Sequence, residues 1–165
     1  MKVTSAGANK LLRSLEDEKM YLREIEQQSC TYIMSENETD GKPDYDYLET
    51  KRQIEEIDEK VLKIKHAINL FNTRTVLPNL GITIDTALVK MAQLNQMKAK
   101  LDVMRKRLPK ERMHSFGKDV VEYTHINYDL STVREDYKKV TDQIAEIQLA
   151  LDTCNQTLEF DIDID

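Results

Sequence analysis

Apolar residues recur at alternating spacings of three and four along the last third of the chain. The series runs through Leu130, Val133, Tyr137, Val140, Ile144, Ile147, Leu151, Cys154 and Leu158. This spacing is typical of the a/d stripe of a helix that packs lengthwise against other helices. Asp129 precedes the stripe, where its carboxylate can accept hydrogen bonds from the free backbone N–H groups of a first turn. The pattern predicts a helix over residues 130–158.

A second stripe of the same kind occupies the middle of the chain. It consists of Ile54, Ile57, Val61, Ile64, Ile68 and Phe71, with Tyr47 and Thr50 extending it backwards. Pro43 suits the first turn of a helix, and the acidic residues that follow it suit the positive end of the helix dipole. We therefore predict a helix over residues 44–73.

Two further helices are predicted from weaker patterns. Leu11, Leu15, Leu22, Ile25 and Tyr32 follow helical spacing and indicate a helix over residues 5–34. A polar turn at 35–41 then predicts that the first two helices form an antiparallel hairpin. Thr83 is the expected N-cap of a third helix over residues 83–108, which Pro109 ends.

Two segments have the character of strands. Residues 118–128 are rich in β-branched and aromatic side chains, and residues 160–165 alternate strictly between apolar and acidic. These pieces are candidates to pair with each other, within one chain or between subunits. The predicted fold class is all-α. It comprises elongated antiparallel helical hairpins or a four-helix bundle in a single domain over 1–165, with a small β-like segment and an extended C-terminal tail.

Composition supports the helical prediction and narrows the function. Gly and Pro fill only 7 of 165 positions, which excludes folds built from many tight turns, such as mostly-β or doubly wound α/β domains. No run approaches the roughly 18 apolar residues of a membrane-spanning helix. The first residues lack the apolar segment of a signal peptide, so the expected location is the cytoplasm. A formal net charge of −6 argues against nucleic acid as the main partner.

Residues that could carry catalytic chemistry are sparse. Cys30 and Cys154 lie in helical patterns and are expected to act as small apolar side chains. Glu-x-x-His spacing occurs twice, ending at His114 and at His125, but both instances fall outside the predicted helices, so chance spacing is the better interpretation. No Gly-rich phosphate loop or nucleophile elbow is present. We predict no catalytic residue, metal or cofactor.

Two polar features remain as candidate sites. Asn69, Asn72 and Asn155 flank the apolar stripes, either as caps and links at a helix end or as a polar pocket at one end of the bundle. Residues 98–112 carry a formal charge of +5, contributed by Lys98, Lys100, Arg105, Lys106, Arg107, Lys110 and Arg112. Between residues 36 and 59 the balance reverses, with ten acidic residues against three basic ones. The opposed segments suit a solvated helix face, head-to-tail pairing of subunits, or nucleic-acid binding.

Short motifs occur in the middle of the chain: Asn69 and Asn72 near a helix end, Gly81 and Thr83 before the next helix, and the pair at 87–88 within it. These motifs resemble a family of small uncharacterised bacterial helical proteins, some of which are labelled septicolysin. The resemblance extends over residues 47–165 and includes Asn155 in the tail. Thr86 occupies the position where the family tends to have an acidic residue, and Met91 and Ala92 occupy the positions where the family tends to have an Arg-Asp pair. The resemblance implies a helical architecture and, by name, cytolysis, but no catalytic chemistry.

Narrow apolar stripes bury limited area within one chain, so self-association is the natural way to complete a core. The sequence therefore predicts a homo-oligomeric helical scaffold or interaction protein. Alternatives are a cytolysin-like membrane-active protein, a nucleic-acid binder that uses residues 98–112, and a metal-dependent enzyme.

Overall fold

A computed structural model describes residues 1–38, 41–113 and 121–164 of the chain. Within these residues the fold is mostly helical, with two pairs of short antiparallel strands, which confirms the helical prediction. The helices are α1 (Ser5–Ser29), α2 (Tyr47–Arg74), α3 (Ile84–Arg105) and α4 (Leu130–Thr157). The strands are β1 (Lys2–Thr4), β2 (Lys110–Arg112), β3 (Tyr123–His125) and β4 (Glu159–Asp161). In the part of the chain that the structure describes, no helix combines the length and apolar character needed to cross a membrane.

The chain divides into two compact units. The first unit comprises Met1–Arg74 with Cys154–Asp165, and the second comprises Thr75–Thr153. The single domain expected from the sequence stays a prediction.

The first unit is built on the antiparallel hairpin of α1 and α2. Glu26, near the end of α1, bonds to Tyr45 just before α2, whereas Glu16, further back in α1, pairs with Lys65 further along α2, as expected for antiparallel helices. The buried core of this unit unites both helices with the C-terminal segment and consists of Ala8, Leu12, Ile64 and Ile162. Strand β4 pairs with β1, and the stacked rings of Phe71 and Phe160, 4.6 Å apart, join α2 to β4. The C-terminal tail is thus extended, as predicted, and closes this core.

Both helices of this hairpin are shorter than predicted. Helix α1 ends at Ser29 instead of residue 34, because residues 31–34 are exposed and no packing supports a further turn. Helix α2 begins at Tyr47 instead of residue 44, so Pro43 lies before the helix and not in its first turn. Asp46 explains this start, since its carboxylate accepts from the backbone N–H of Leu48 at 2.9 Å and of Glu49 at 3.2 Å.

The second unit contains α3, the β2–β3 ribbon and most of α4. Thr83 caps α3 as predicted, because its hydroxyl accepts from the backbone N–H of Thr86 at 3.2 Å. Asp129 caps α4 in the same way, accepting from the backbone N–H of Thr132 at 2.8 Å. Helix α3 ends at Arg105 instead of residue 108. The N–H of Arg107 donates to the carbonyl of Met104, three residues back, which tightens the chain into a turn, and Pro109 disfavours helical backbone at Leu108.

The predicted strand pairing within the chain is wrong. Strand β3 lies in the predicted β-like segment but pairs with β2, while β4 in the tail pairs with β1. Both actual partners are three-residue strands, too short to show a period of two, and β2 is close to β3 in the chain, which favours local closure. Residues 118–120 of the predicted β-like segment lie outside the described residues.

The two strongest apolar stripes lie on continuous helices and face inward. In α4 the buried members are Val133, Val140, Ile144, Ile147, Leu151 and Cys154. In α2 the buried positions are Thr50, Ile57 and Ile64, seven residues apart. Stripes of this width leave most of each helix surface exposed.

Candidate interaction surfaces

The positive charge of the second unit is concentrated at the end of α3 and in the ribbon that follows it. We call residues 98–112 the basic arm. Its cations are Lys98, Lys100 and Arg105 on α3, Lys106 and Arg107 in the turn, and Lys110 and Arg112 on β2. The structure thus places the predicted basic residues on three consecutive pieces of one unit.

Asp102 neutralises part of this charge. Its carboxylate accepts from the Arg105 guanidinium at 2.6 Å and pairs with the Lys106 ammonium. Hydrogen bonds from Lys106 and then Arg105 hold the pKa of Asp102 below its usual value, and the same contact raises the pKa of Arg105. Within residues 1–38, 41–113 and 121–164, no carboxylate pairs with Lys100, Arg107 or Arg112. As far as the described residues are concerned, these three cations are available to a partner.

Tyrosine rings hold other cations of the basic arm in place. The Arg105 guanidinium lies 4.0 Å from the centroid of the Tyr137 ring, and the Lys110 ammonium lies 4.0 Å from that of Tyr123. Such cation–π contacts fix side chains that would otherwise move freely. Sequence reasoning missed this role, because Tyr137 occupies a regular position of the α4 stripe and its ring faces are not visible in a spacing pattern.

An open groove of about 780 Å³ separates α3 from α4. Its apolar lining comes from Met97, Leu101, Met104, Val133 and Val140, and its polar lining from Gln93, Gln96, Lys100, Asp136, Lys139 and Gln143. The lining contains no histidine or cysteine, and its one carboxylate, Asp136, is paired with Lys139 at 3.4 Å. The described lining of the groove therefore lacks the paired titratable groups of acid–base catalysis.

The described residues contain no group of three His, Cys, Asp or Glu side chains that could hold a metal ion. Of the two Glu-x-x-His spacings, His114 lies outside the described residues. His125 lies in β3 and Glu122 lies just before it, outside any helix, so a spacing of three does not bring the two side chains onto one helix face as a ligand pair.

Negative charge is concentrated in the first unit. This unit has 19 acidic and 12 basic residues, whereas the second has 11 and 12. Leu48, Glu55, Glu59 and Leu62 follow helical spacing on the exposed side of α2, opposite its buried stripe, and we call them the acidic face. Glu55 has a local partner in Lys51 at 3.6 Å. In the part of the chain that the structure describes, Glu59 forms no ion pair.

The end of the first hairpin that carries the start of α2 is closed by Tyr45. Its hydroxyl donates to the Glu26 carboxylate at 3.0 Å, and burial together with this bond raises the pKa of Tyr45 to about 12. Nearby, the hydrogen bond from Arg52 holds the pKa of Glu49 below its usual value. Arg52 also pairs with Glu56 at 2.5 Å, so one cation serves two carboxylates and the surface remains acidic.

The three asparagines lie at the ends of helices in the first unit. Asn69 is exposed on α2, Asn72 is half-buried on its last turn, and Asn155 is half-buried on the last turn of α4. Considering the described ranges only, none of the three side-chain amides forms a hydrogen bond. Their role as caps, links or a shared pocket stays a prediction.

The two cysteines differ in environment. Cys30 is exposed after the end of α1, where its thiol donates to a backbone carbonyl, and Cys154 is buried on α4. Burial raises the pKa of the Cys154 thiol, which keeps it protonated and unreactive. Both thiols are free.

The remaining residues of the motifs that resemble the septicolysin family have structural roles. Gly81 adopts a φ of +63°, a left-handed conformation that favours glycine, and its N–H donates to the carbonyl of Leu77. Thr83 caps α3, and Ala87 is completely buried one turn later. A tight turn followed by a capped helix accounts for this spacing without a ligand.

These observations define a mostly helical protein with two antiparallel strand pairs and oppositely charged surfaces. No family model and no curated protein matches the chain. The fold is similar to the crystal structure of a functionally unknown conserved protein from Corynebacterium diphtheriae, with a TM-score of 0.68. The similarity covers 98% of this chain and 100% of that chain at 13% sequence identity. At this identity the likeness concerns the fold alone.

Proposed function

We propose that the chain is a homo-oligomeric helical scaffold whose subunits meet through exposed helix surfaces. In such an assembly the apolar stripes contribute to coiled-coil or four-helix-bundle packing with helices of another copy. The expected cytoplasmic location is part of the proposal.

The observation that carries this proposal is the thin core of the first hairpin. None of the α1 residues from 13 to 29 is buried, although Leu15, Leu22 and Ile25 are half-buried toward α2. The same end of the hairpin exposes large apolar side chains, namely Met20, Tyr21, Tyr32, Ile33, Met34, Tyr47 and Leu48. Two helices share only one seam, so a further helix surface is needed to cover these side chains. Fully burying one leucine of this kind contributes about 1.5–3 kcal/mol.

The test is the solution mass as a function of protein concentration, measured by light scattering and sedimentation equilibrium. We expect masses above the 19.3 kDa of one chain, increasing with concentration. Leu48→Gln removes an apolar contact at a side chain that is 73% exposed and is expected to weaken association without loss of helicity. Leu149→Gln, at a side chain that is 70% exposed on α4, is the matched control. A single species of 19.3 kDa at every concentration would contradict the proposal.

The septicolysin-like resemblance contributes an alternative, a membrane-active cytolysin. Its test is leakage of a fluorophore from liposomes. Leakage at low protein concentration, from a species that remains monomeric in solution, would favour the cytolysin over the scaffold.

A further inference from the structure

We infer that copies of this chain bind head to tail, with the basic arm of one copy seated on the acidic face of α2 in the next. This inference rests on the proposed homo-oligomeric function and names the interface that this function uses. The partner is a second copy because one and the same chain presents two exposed surfaces of opposite charge and similar apolar content.

The basic surface has an apolar centre between cations. Lys100 and Val103 lie one turn apart on α3, and Arg107 follows in the turn that ends the helix. Val103 and Leu108 are exposed although they are large and apolar. Arg112 extends the same charge onto β2, where all three strand residues are exposed.

The acidic face also combines charged and apolar side chains. Glu55 and Glu59 lie one turn apart in the middle of the face, and Leu48 and Leu62 lie at its two ends, all on the exposed side of α2. Asp44, just before the helix, is exposed and adds to the negative charge. Both surfaces therefore combine exposed apolar side chains with charges, and the two charges have opposite sign; Glu59 forms no ion pair among the described residues.

Long-range electrostatics favours this orientation. Two copies that each carry a net charge of −6 repel one another. All of the net negative charge lies in the first unit, which has an excess of seven acidic residues, whereas the second unit has an excess of one basic residue. Repulsion is reduced when the basic arm, at +5, approaches the first unit of the other copy. Complementary charges of this kind determine which surfaces meet and at what rate.

The geometry has a consequence for assembly. The basic arm and the acidic face are different surfaces, so each copy can give one and accept one. When the arm and the face of one copy bind two different neighbours, such a heterologous interface produces a closed ring or an open chain of subunits. When both bind the same neighbour, the product is a two-fold dimer.

The experiment uses two neutralised variants of the full chain. The arm variant carries Lys100→Gln, Arg107→Gln and Arg112→Gln, and the face variant carries Asp44→Asn, Glu55→Gln and Glu59→Gln. A control carries Lys90→Gln, Arg134→Gln and Lys138→Gln, which removes the same number of exposed cations from the second unit outside the basic arm. Mass is measured for each protein alone and for the two variants mixed, with circular dichroism to verify that each is folded.

We expect wild-type association to weaken about tenfold or more when NaCl rises from about 0.05 M to about 0.5 M, because exposed charges are screened. The arm and face variants should each lose association alone by a similar factor, whereas the control should resemble wild type. In a mixture of the two variants, the intact basic arm of the face variant can still bind the intact acidic face of the arm variant, whereas every other arm–face pair contains a neutralised surface. The mixture should therefore stop at a 1:1 complex with twice the 19.3 kDa mass of one chain.

Four outcomes would overturn the inference. Association that persists in high salt or in both variants would place the interface elsewhere and leave the scaffold proposal standing. A mixture that fails to form the 1:1 complex would exclude head-to-tail pairing. Binding of a 20-base-pair duplex DNA probe that the arm variant loses, while self-association is unchanged, would assign the basic arm to nucleic acid. A wild-type chain that stays monomeric in low salt would refute the scaffold proposal and this inference together.

Discussion

Ile64→Ala is the sharpest test of the first unit, because Ile64 is the point where its three parts meet. The side chain is 0% exposed on α2 and belongs to the same core as Leu12 of α1 and Ile162 of the C-terminal segment. If this core is correct, truncation at Ile64 removes contacts from two helices and from the tail at once.

The expected magnitude follows from the atoms removed. Replacing isoleucine by alanine deletes three carbon groups, at about 0.8 kcal/mol each, or about 2.4 kcal/mol of lost transfer free energy. A cavity adds to this value, because three separate elements line the site and limit its collapse. We expect a loss of about 3–4 kcal/mol in the free energy of unfolding, within the range of about 2–5 kcal/mol for buried isoleucine truncations.

The measurement is urea unfolding followed by far-ultraviolet circular dichroism and tyrosine fluorescence, at a concentration where the chain is monomeric. Leu62→Ala on the same helix, where the side chain is 71% exposed, is the control and should change stability by less than about 0.5 kcal/mol. A loss below about 1 kcal/mol for Ile64→Ala, or an equal loss for the control, would refute the assigned core.

Three further predictions concern other parts of the chain. Thr83→Ala removes the α3 N-cap and should destabilise the protein by about 1 kcal/mol in thermal unfolding, whereas Thr83→Ser should retain the stability because serine caps equally well. A thiol reagent should label Cys30 rapidly and Cys154 only after denaturant is added; equal labelling rates in the native protein would contradict the burial of Cys154. Hydrogen bonds from Ser131 and Thr132 hold the pKa of Asp129 below its usual value, so its contribution to stability is present above pH 4 and is lost as the pH falls through the folded-state pKa. Asp129→Asn should therefore be less stable than wild type at pH 7 in urea titrations, and the difference should shrink below about pH 4; a difference that is constant with pH would exclude this origin.

The apolar stripes and caps could be read from the sequence because they depend on local spacing. Helix α4 starts at Leu130, as predicted, and Thr83 and Asp129 cap α3 and α4 as expected. These caps were predictable because a cap involves only residues three positions apart. The helices α1 and α3 end earlier in the chain than predicted. The apolar spacing continues beyond each end, but spacing alone does not show where the side chains cease to be packed or where the backbone turns.

The candidate surfaces were only partly predictable. The basic arm and the acidic segment are runs in the chain and are therefore visible as composition. The Asp102 ion pairs decide which cations stay available, and the tyrosine rings under Arg105 and Lys110 hold others in place. No spacing rule predicts which ring a distant cation will reach.

Local periodicity determined that this chain forms long helices with narrow apolar stripes, because one face of a helix recurs every three or four residues and the apolar positions repeat at that spacing. The pairing of β1 with β4 and of β2 with β3 was decided only in the folded structure. A three-residue strand has too few side chains to specify its partner. Its partner is therefore determined by which helix ends lie side by side in the folded structure. The same reason applies to Ile162, which contributes to a core whose other members lie about a hundred residues or more away in the chain.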